Sequence, residues 1–261
     1  MKKLVLALTA VAAFTGSALA ADLPARTYTK APVMPEPVMN WTGFYIFGGA
    51  GGGVWDANNG TFNNITGVPL TVSQKNGGDG WLGTAGAGYD WQFNSNWVAG
   101  IFADGQFGSL KGSIGGISNG GPVVGSENMR DTWAAGVRLG YLIAPNVYSY
   151  VNGGFTESFW SGSSLNNMVT GVQVITTPSF NRNGWFVGGG FENNLNIFGI
   201  SAPGWFMKTE YRAASFNTAN LVESNAAGLT QATVTFKPFV QTISTSLVYR
   251  FNWGGPLVAK Y

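Results

Sequence analysis

Trp205-Phe206-Met207-Lys208-Thr209-Glu210-Tyr211-Arg212 decides the fold. From Phe206 onward every second residue is charged (Lys208, Glu210, Arg212), and Trp205, Met207, Thr209 and Tyr211 lie between them. Side chains of a strand alternate between the two faces of its sheet. This segment therefore carries one ionic face and one apolar-aromatic face. On a half-exposed soluble strand the ionic face would lie in water. In a transmembrane barrel the apolar face meets lipid and the charged face lines the enclosed interior.

Seven further stretches alternate in a similar way. They are read as strands over 42–54, 80–93, 97–108, 132–143, 147–159, 184–195 and 239–251. In the second, Ala85, Ala87, Tyr89 and Trp91 oppose Thr84, Gly86, Gly88 and Asp90. In the fourth, Trp133, Val137, Leu139 and Tyr141 oppose Thr132, Gly136, Arg138 and Gly140. The fifth has an ambiguous phase, and Glu157 is taken to place Gly153 and Phe155 on the inner face. Connections alternate in length. Residues 94–96 and 144–146 form tight turns and 196–204 a moderate one, whereas 55–79, 109–131, 160–183 and 217–238 are long, polar and read as loops. Strands reverse at each connection, so short turns share one rim and long segments the other. Short periplasmic turns with long outer loops are the pattern of outer-membrane barrels.

Composition supports the lipid-facing alternative. Only 10% of the 261 residues are charged, 14% are aromatic and 39 are glycine, whereas soluble domains carry about 25% charged residues. Backbone polar groups cannot go unpaired in hydrocarbon, so a spanning sheet must close on itself. The expected fold is all-β, an eight-stranded antiparallel up-and-down transmembrane β-barrel. A barrel of that size is filled by side chains rather than hollow. Asp104, Glu157, Glu192 and Glu210 with Arg138, Lys208, Arg212 and Arg250 are the expected interior ionic network. Four acids against four bases can pair internally and avoid the cost of isolated buried charge. Trp41, Phe44, Tyr45, Trp81, Tyr89, Trp91, Trp97, Trp133, Tyr141, Trp185, Trp205 and Tyr249 are candidates for the aromatic girdles at the two interfaces.

Residues 1–20 read as a secretory signal. Lys2 and Lys3 precede an apolar run, and Ala18-Leu19-Ala20 sets cleavage between Ala20 and Ala21. The chain has 14 basic and 12 acidic residues, so removing those two lysines leaves 12 of each. A neutral mature chain gives no argument for nucleic acid as a partner. Pro24, Pro32, Pro35 and Pro37 mark residues 21–40 as a periplasmic linker, and 41–261 is the barrel domain. The chain has no cysteine and no histidine. This removes disulfides, thiolate sites, Ser-His-Asp triads and histidine-metal centres. Neither a catalytic residue, a metal ligand nor a cofactor is expected.

Several motifs resemble the small outer-membrane β-barrels of alphaproteobacteria, a branch related to the OmpA-like and opacity-type porin families. They are Ala21-Asp22-Leu23-Pro24, Trp41-Thr42-Gly43-Phe44-Tyr45, Ala87-Gly88-Tyr89-Asp90-Trp91-Gln92, Gly136-Val137-Arg138-Leu139-Gly140-Tyr141, Lys208-Thr209-Glu210-Tyr211-Arg212 and Leu247-Val248-Tyr249-Arg250-Phe251. The resemblance implies an abundant surface protein that supports envelope integrity. Its implied partners are outer-membrane lipids, the barrel-assembly machinery, and host or environmental molecules met by the long loops. Some members of that group are described as haem-binding or as porins. Without histidine, haem would need tyrosine or methionine ligands, so that activity is not carried over. Ile243, Leu247, Tyr249 and Phe251 supply the alternating apolar pattern of an assembly signal, although ten residues with Pro256 among them follow. A narrow porin and a secreted soluble barrel for a small apolar ligand are the competing expectations.

Overall fold

The computed structural model describes residues 40–118, 121–144, 146–197, 200–225 and 227–251. The signal, all but the last residue of the linker, and the tail after Phe251 lie outside the described residues. Among the described residues eleven strands follow one another: β1 (Gly43–Asn63), β2 (Gln74–Gln92), β3 (Trp97–Ser118), β4 (Gly121–Ala144), β5 (Val147–Trp160), β6 (Ser164–Asn167), β7 (Gln173–Thr176), β8 (Phe180–Ile197), β9 (Ile200–Phe216), β10 (Ala219–Ser224) and β11 (Thr230–Phe251). All pairings are antiparallel. Eight strands form a hydrogen-bonded ring in the order β1-β2-β3-β4-β5-β8-β9-β11, closed by β1 against β11. That seam runs from Phe44 opposite Phe251 to Asn63 opposite Ala232. The ring removes every exposed sheet edge in the zone where hydrocarbon would leave it unpaired.

The three short strands do not form loops on top of this ring. β6 follows β5 after residues 161–163 and pairs with β4 and β7, while β10 follows β9 and pairs with β11 and, through Ser224 opposite Thr176, with β7. They thus continue β5, β8 and β9 upward, with a short break in each. The wall rises well past the ring. Segments 55–79, 109–131, 160–183 and 217–238, expected as loops, are therefore mostly strand. Their Gly, Asn, Ser and Thr content reads as loop in isolation, but a neighbour already in register supplies the hydrogen bonds that propensity does not. The tips are short and built on asparagine. Asn63 Oδ1 accepts from the amides of Ile65 and Thr66, Asn167 Oδ1 from those of Val169 and Thr170, and Asn225 Oδ1 from those of Ala227 and Leu229.

Burial separates the two faces. Ile46, Ile101, Val137, Leu139, Val151, Val187, Ile243 and Leu247 are exposed on the outer wall, whereas Tyr45, Phe47, Phe102, Phe186, Phe206 and Val248 are buried inside. Exposed aromatic residues form two rows. Trp91, Trp97, Tyr141, Phe191 and Trp205 lie toward the short-turn rim, and Trp81, Phe107, Trp133, Phe155 and Trp185 lie higher on the wall. On β2 and β3 the rows are ten residues apart. Ten residues at about 3.4 Å each, tilted by about 40°, give roughly 26 Å, matching the apolar band of a membrane barrel. Two girdle candidates are corrected. Tyr45 follows Phe44 and precedes Ile46, both outside, so alternation puts it inside. Trp41 precedes β1 and folds into the barrel mouth against Tyr148 and Phe206, at ring-centroid distances of 5.3 and 5.1 Å.

The seam depends on glycine at Gly51, which faces Ser244. A β-carbon there would collide with the Ile243 carbonyl oxygen and Ser244 Cα. Gly51→Ala should lower unfolding stability by about 1–3 kcal/mol, the usual range for overpacking. The outward-facing Gly52, where a β-carbon meets only the Gly80 carbonyl at 3.4 Å, should accept alanine at little cost. Denaturant midpoints in detergent test the pair, and equal midpoints would reject this account of the seam.

Candidate functional site

The interior is layered. Nearest the short-turn rim, Asp90 (β2), Arg138 (β4), Glu192 (β8) and Arg250 (β11) converge from four strands. Arg138 Nε and Nη2 donate to Asp90 Oδ1 and Oδ2 at 2.9 and 2.5 Å, and Nη1 stands 3.5 Å from Glu192 Oε2. Arg250 Nε donates to Glu192 Oε1 at 2.6 Å, and its Nη1 lies 2.8 Å from Asp90 Oδ2. Each base thus touches both acids. Tyr45 and Trp41 close over the guanidinium groups, with Arg138 Cζ 4.2 Å from the Tyr45 ring centre and Arg250 Cζ 4.5 Å from that of Trp41. Such faces attract a cation while excluding water.

A second cluster sits one layer higher. Arg212 (β9) forks onto Asp104 (β3) with contacts of 2.9 and 2.6 Å and also donates to Glu210 Oε1 at 2.8 Å. Tyr150 Oη donates to Glu210 Oε2 at 2.8 Å, and Lys208 Nζ lies 3.7 Å from that oxygen and 3.3 Å from the centre of the Phe47 ring. All four charged residues are buried. Above them Gln106, Thr132, Thr156 and Thr242 surround a cavity of about 10 Å³. An aromatic plug follows, in which Trp55 meets Trp160 at 5.3 Å and both meet Phe236. Trp55 Nε1 donates to the Leu110 carbonyl at 2.9 Å.

Seven of the eight expected network residues face this interior. Glu157 does not, which corrects the expectation. It stands on the outer face of β5 with Gly153 and Phe155, accepting hydrogen bonds from Trp133 Nε1 at 2.9 Å and Asn181 Nδ2 at 2.5 Å. Tyr148, Tyr150 and Asn152 are buried, so parity assigns the odd positions outward. Glu157 shares its face with Gly153 and Phe155, but a charge alone does not reveal which side of the wall that face occupies. At the end of the apolar band an outward glutamate can reach the girdle tryptophan and water. Asp90 takes the fourth acidic place. Its signal was present, since it alternates with the outward Tyr89 and Trp91. Ile243, Leu247, Tyr249 and Phe251 all point outward along β11.

No protein-family model matches the chain. The 31 kDa outer-membrane immunogenic proteins of Brucella melitensis and Brucella suis are each 29% identical to it over 256 residues, covering 96% of this chain and the whole of the relative. The chain is a small outer-membrane β-barrel protein, homologous to these Brucella proteins. The outer-membrane protein OprG of Pseudomonas aeruginosa shares the fold at a TM-score of 0.50 and 9% identity, over 81% of this chain and 98% of OprG. In this outer-membrane barrel the aliphatic outer wall is the lipid contact, and the buried charges belong to the enclosed side.

Proposed function

We propose that this outer-membrane barrel is a non-catalytic, non-conducting envelope protein, whose wall strengthens the membrane and whose raised rim meets molecules outside the cell. The carrying observation is the packed interior. Two ion networks, a threonine layer and an aromatic plug succeed one another where a pore would need open space. In this reading the short-turn rim faces the periplasm and the tall rim, with tips at 64–73, 168–172 and 225–229, faces outward. Barrel-assembly machinery reads the outward row ending at Phe251. The absence of histidine from the sequence and the pairing of each acid in the two ion networks with a base support a structural role.

Planar-bilayer recording of the folded protein tests the proposal. The expected result is no reproducible step conductance, because ions would have to displace bonded guanidinium groups held against aromatic rings. Stable unitary steps that scale with salt would instead support the narrow porin.

A further inference from the structure

Above the aromatic plug, outside the apolar band, the raised wall encloses a cavity of about 30 Å³. Two carboxylates line it, Glu127 of β4 and Glu223 of β10, with no lysine or arginine among its lining residues. Glu127 is 1% exposed and Glu223 is 6% exposed. Glu127 accepts hydrogen bonds from Ser163 Oγ at 2.5 Å and the Asn128 amide at 3.2 Å, both neutral donors. Glu223 has no hydrogen-bonding or ionic partner among the described residues. Asn59 of β1 lines the same cavity at 8% exposure, and its Oδ1 is buried without a hydrogen bond. The two ion networks below it are balanced acid against base. This one holds two acids and an orphaned amide oxygen.

An unpaired buried carboxylate is costly, and an unbonded buried acceptor adds its own desolvation penalty. One occupant answers both deficits. We infer that the cavity is a binding site for a divalent cation of the calcium class, held by the carboxylates of Glu127 and Glu223 and by Asn59 Oδ1. Calcium takes six to eight oxygen ligands in flexible geometry, whereas magnesium demands a near-ideal octahedron and keeps its waters. Two carboxylates, one amide oxygen, and the hydroxyls of Thr61 and Thr177 form an all-oxygen set of calcium type. The dication matches the two negative charges. A cavity needs roughly 10–15 Å³ to hold one water, so this one has room for an ion and a water. Asn59, Glu127 and Glu223 come from β1, β4 and β10, strands that are not sheet neighbours, and they line one cavity in the raised part of the wall. A bound cation would therefore tie the tips of the barrel together.

Burial pushes the Glu127 carboxyl up to about 7 from its ordinary value near 4.5, and Glu223 moves in the same direction for the same reason. These two are the titratable groups lining the cavity. A carboxyl whose folded value is raised binds more protons folded than unfolded between those limits. Stability of the cation-free protein should then fall as pH rises from about 4.5 to about 7, and calcium should oppose that fall.

Terbium titration of the folded full-length barrel in detergent tests the site. Phe236 lines the cavity and packs on Trp55 and Trp160, so indole excitation should sensitise a bound lanthanide. The expected result is saturable one-to-one luminescence. Calcium should displace it with half-saturation at about 0.1–1 mM, and equal magnesium should not. Glu127→Gln and Glu223→Gln should each weaken binding by about 10-fold or more, at least what an outer-shell partner of a metal is worth. Glutamine removes the charge at nearly constant shape, so these variants should fold, and circular dichroism checks that. Absence of sensitised emission at pH 8 would overturn the proposal. So would emission unchanged in both glutamine variants, which would mark an adventitious surface ion. Stabilisation of both variants, with no calcium effect on the parent protein, would show that the glutamates are held as neutral acids and would also overturn it.

Discussion

Arg138→Met should destabilise the barrel by about 3–5 kcal/mol, the range for removing one partner of a buried ion pair. Arg138 is the bidentate partner of Asp90 and its Nη1 lies 3.5 Å from Glu192 Oε2. Its loss leaves two carboxylates to share Arg250, inside a layer sealed by Trp41, Tyr45 and Tyr148. Methionine fills part of the volume, so the charge imbalance rather than a cavity dominates the change. Adding Asp90→Asn should recover more than half of the loss, because the layer is again one acid against one base. Reversible denaturant unfolding in detergent gives both values. A loss below about 1 kcal/mol, or no recovery in the double variant, would mean that the layer is hydrated and not sealed. Glu157→Gln is the internal comparison. That residue lies on the outer face at the band edge and should shift stability by less than about 0.5 kcal/mol.

Val137→Arg tests the opposite side of the same strand. Val137 is exposed on the outer wall midway between Trp133 and Tyr141, one row in each girdle. An arginine at the midplane of a barrel's lipid face costs about 2–4 kcal/mol, falling to about 0–1 near the interfaces. Val137→Arg should therefore lose about 2–4 kcal/mol in liposomes. Val124→Arg, exposed on β4 above the upper girdle, should lose less than about 1 kcal/mol. Adjacent positions then give opposite lessons, since position 138 requires arginine and position 137 rejects it. Equal tolerance at 137 and 124 would place the lipid band elsewhere on the wall.

Much of the cylinder is legible from period-two alternation alone. Lys208, Glu210 and Arg212 against Met207, Thr209 and Tyr211 assign both faces of β9, and the pattern extends to β2, β3, β4, β8 and β11. Alternation is ambiguous at the fifth strand, where glycine, serine and aromatic residues occur in both phases. It also failed beyond the upper girdle. There apolar residues occur in both phases, with buried Val123 beside exposed Val124 and buried Leu221 beside exposed Val222, so the hydrophobic pattern that fixes strand register is weak. That is why segments rich in Gly, Asn and Thr read as loops although they pair over many residues. Trp41, a girdle candidate by sequence, lies before the first strand and has no alternation partner to assign its side, so its place in the barrel mouth is set only by the packing against Tyr148 and Phe206.

The sequence by itself determined the all-β ring, the number of spanning strands, which face of most of them is apolar, and that acids and bases share the enclosed face of β9. Those properties are local, because each depends on neighbours two residues away and on the requirement that a sheet in lipid close. The tertiary structure alone decided which acid meets which base, that Asp90 and not Glu157 completes the lower network, that the wall continues past the membrane, and that Asn59, Glu127 and Glu223 share one cavity. Those partners lie on different strands, as far apart as β1 and β10. The shear of the closed ring sets which residues stand at the same height, and no periodicity along a single strand encodes that.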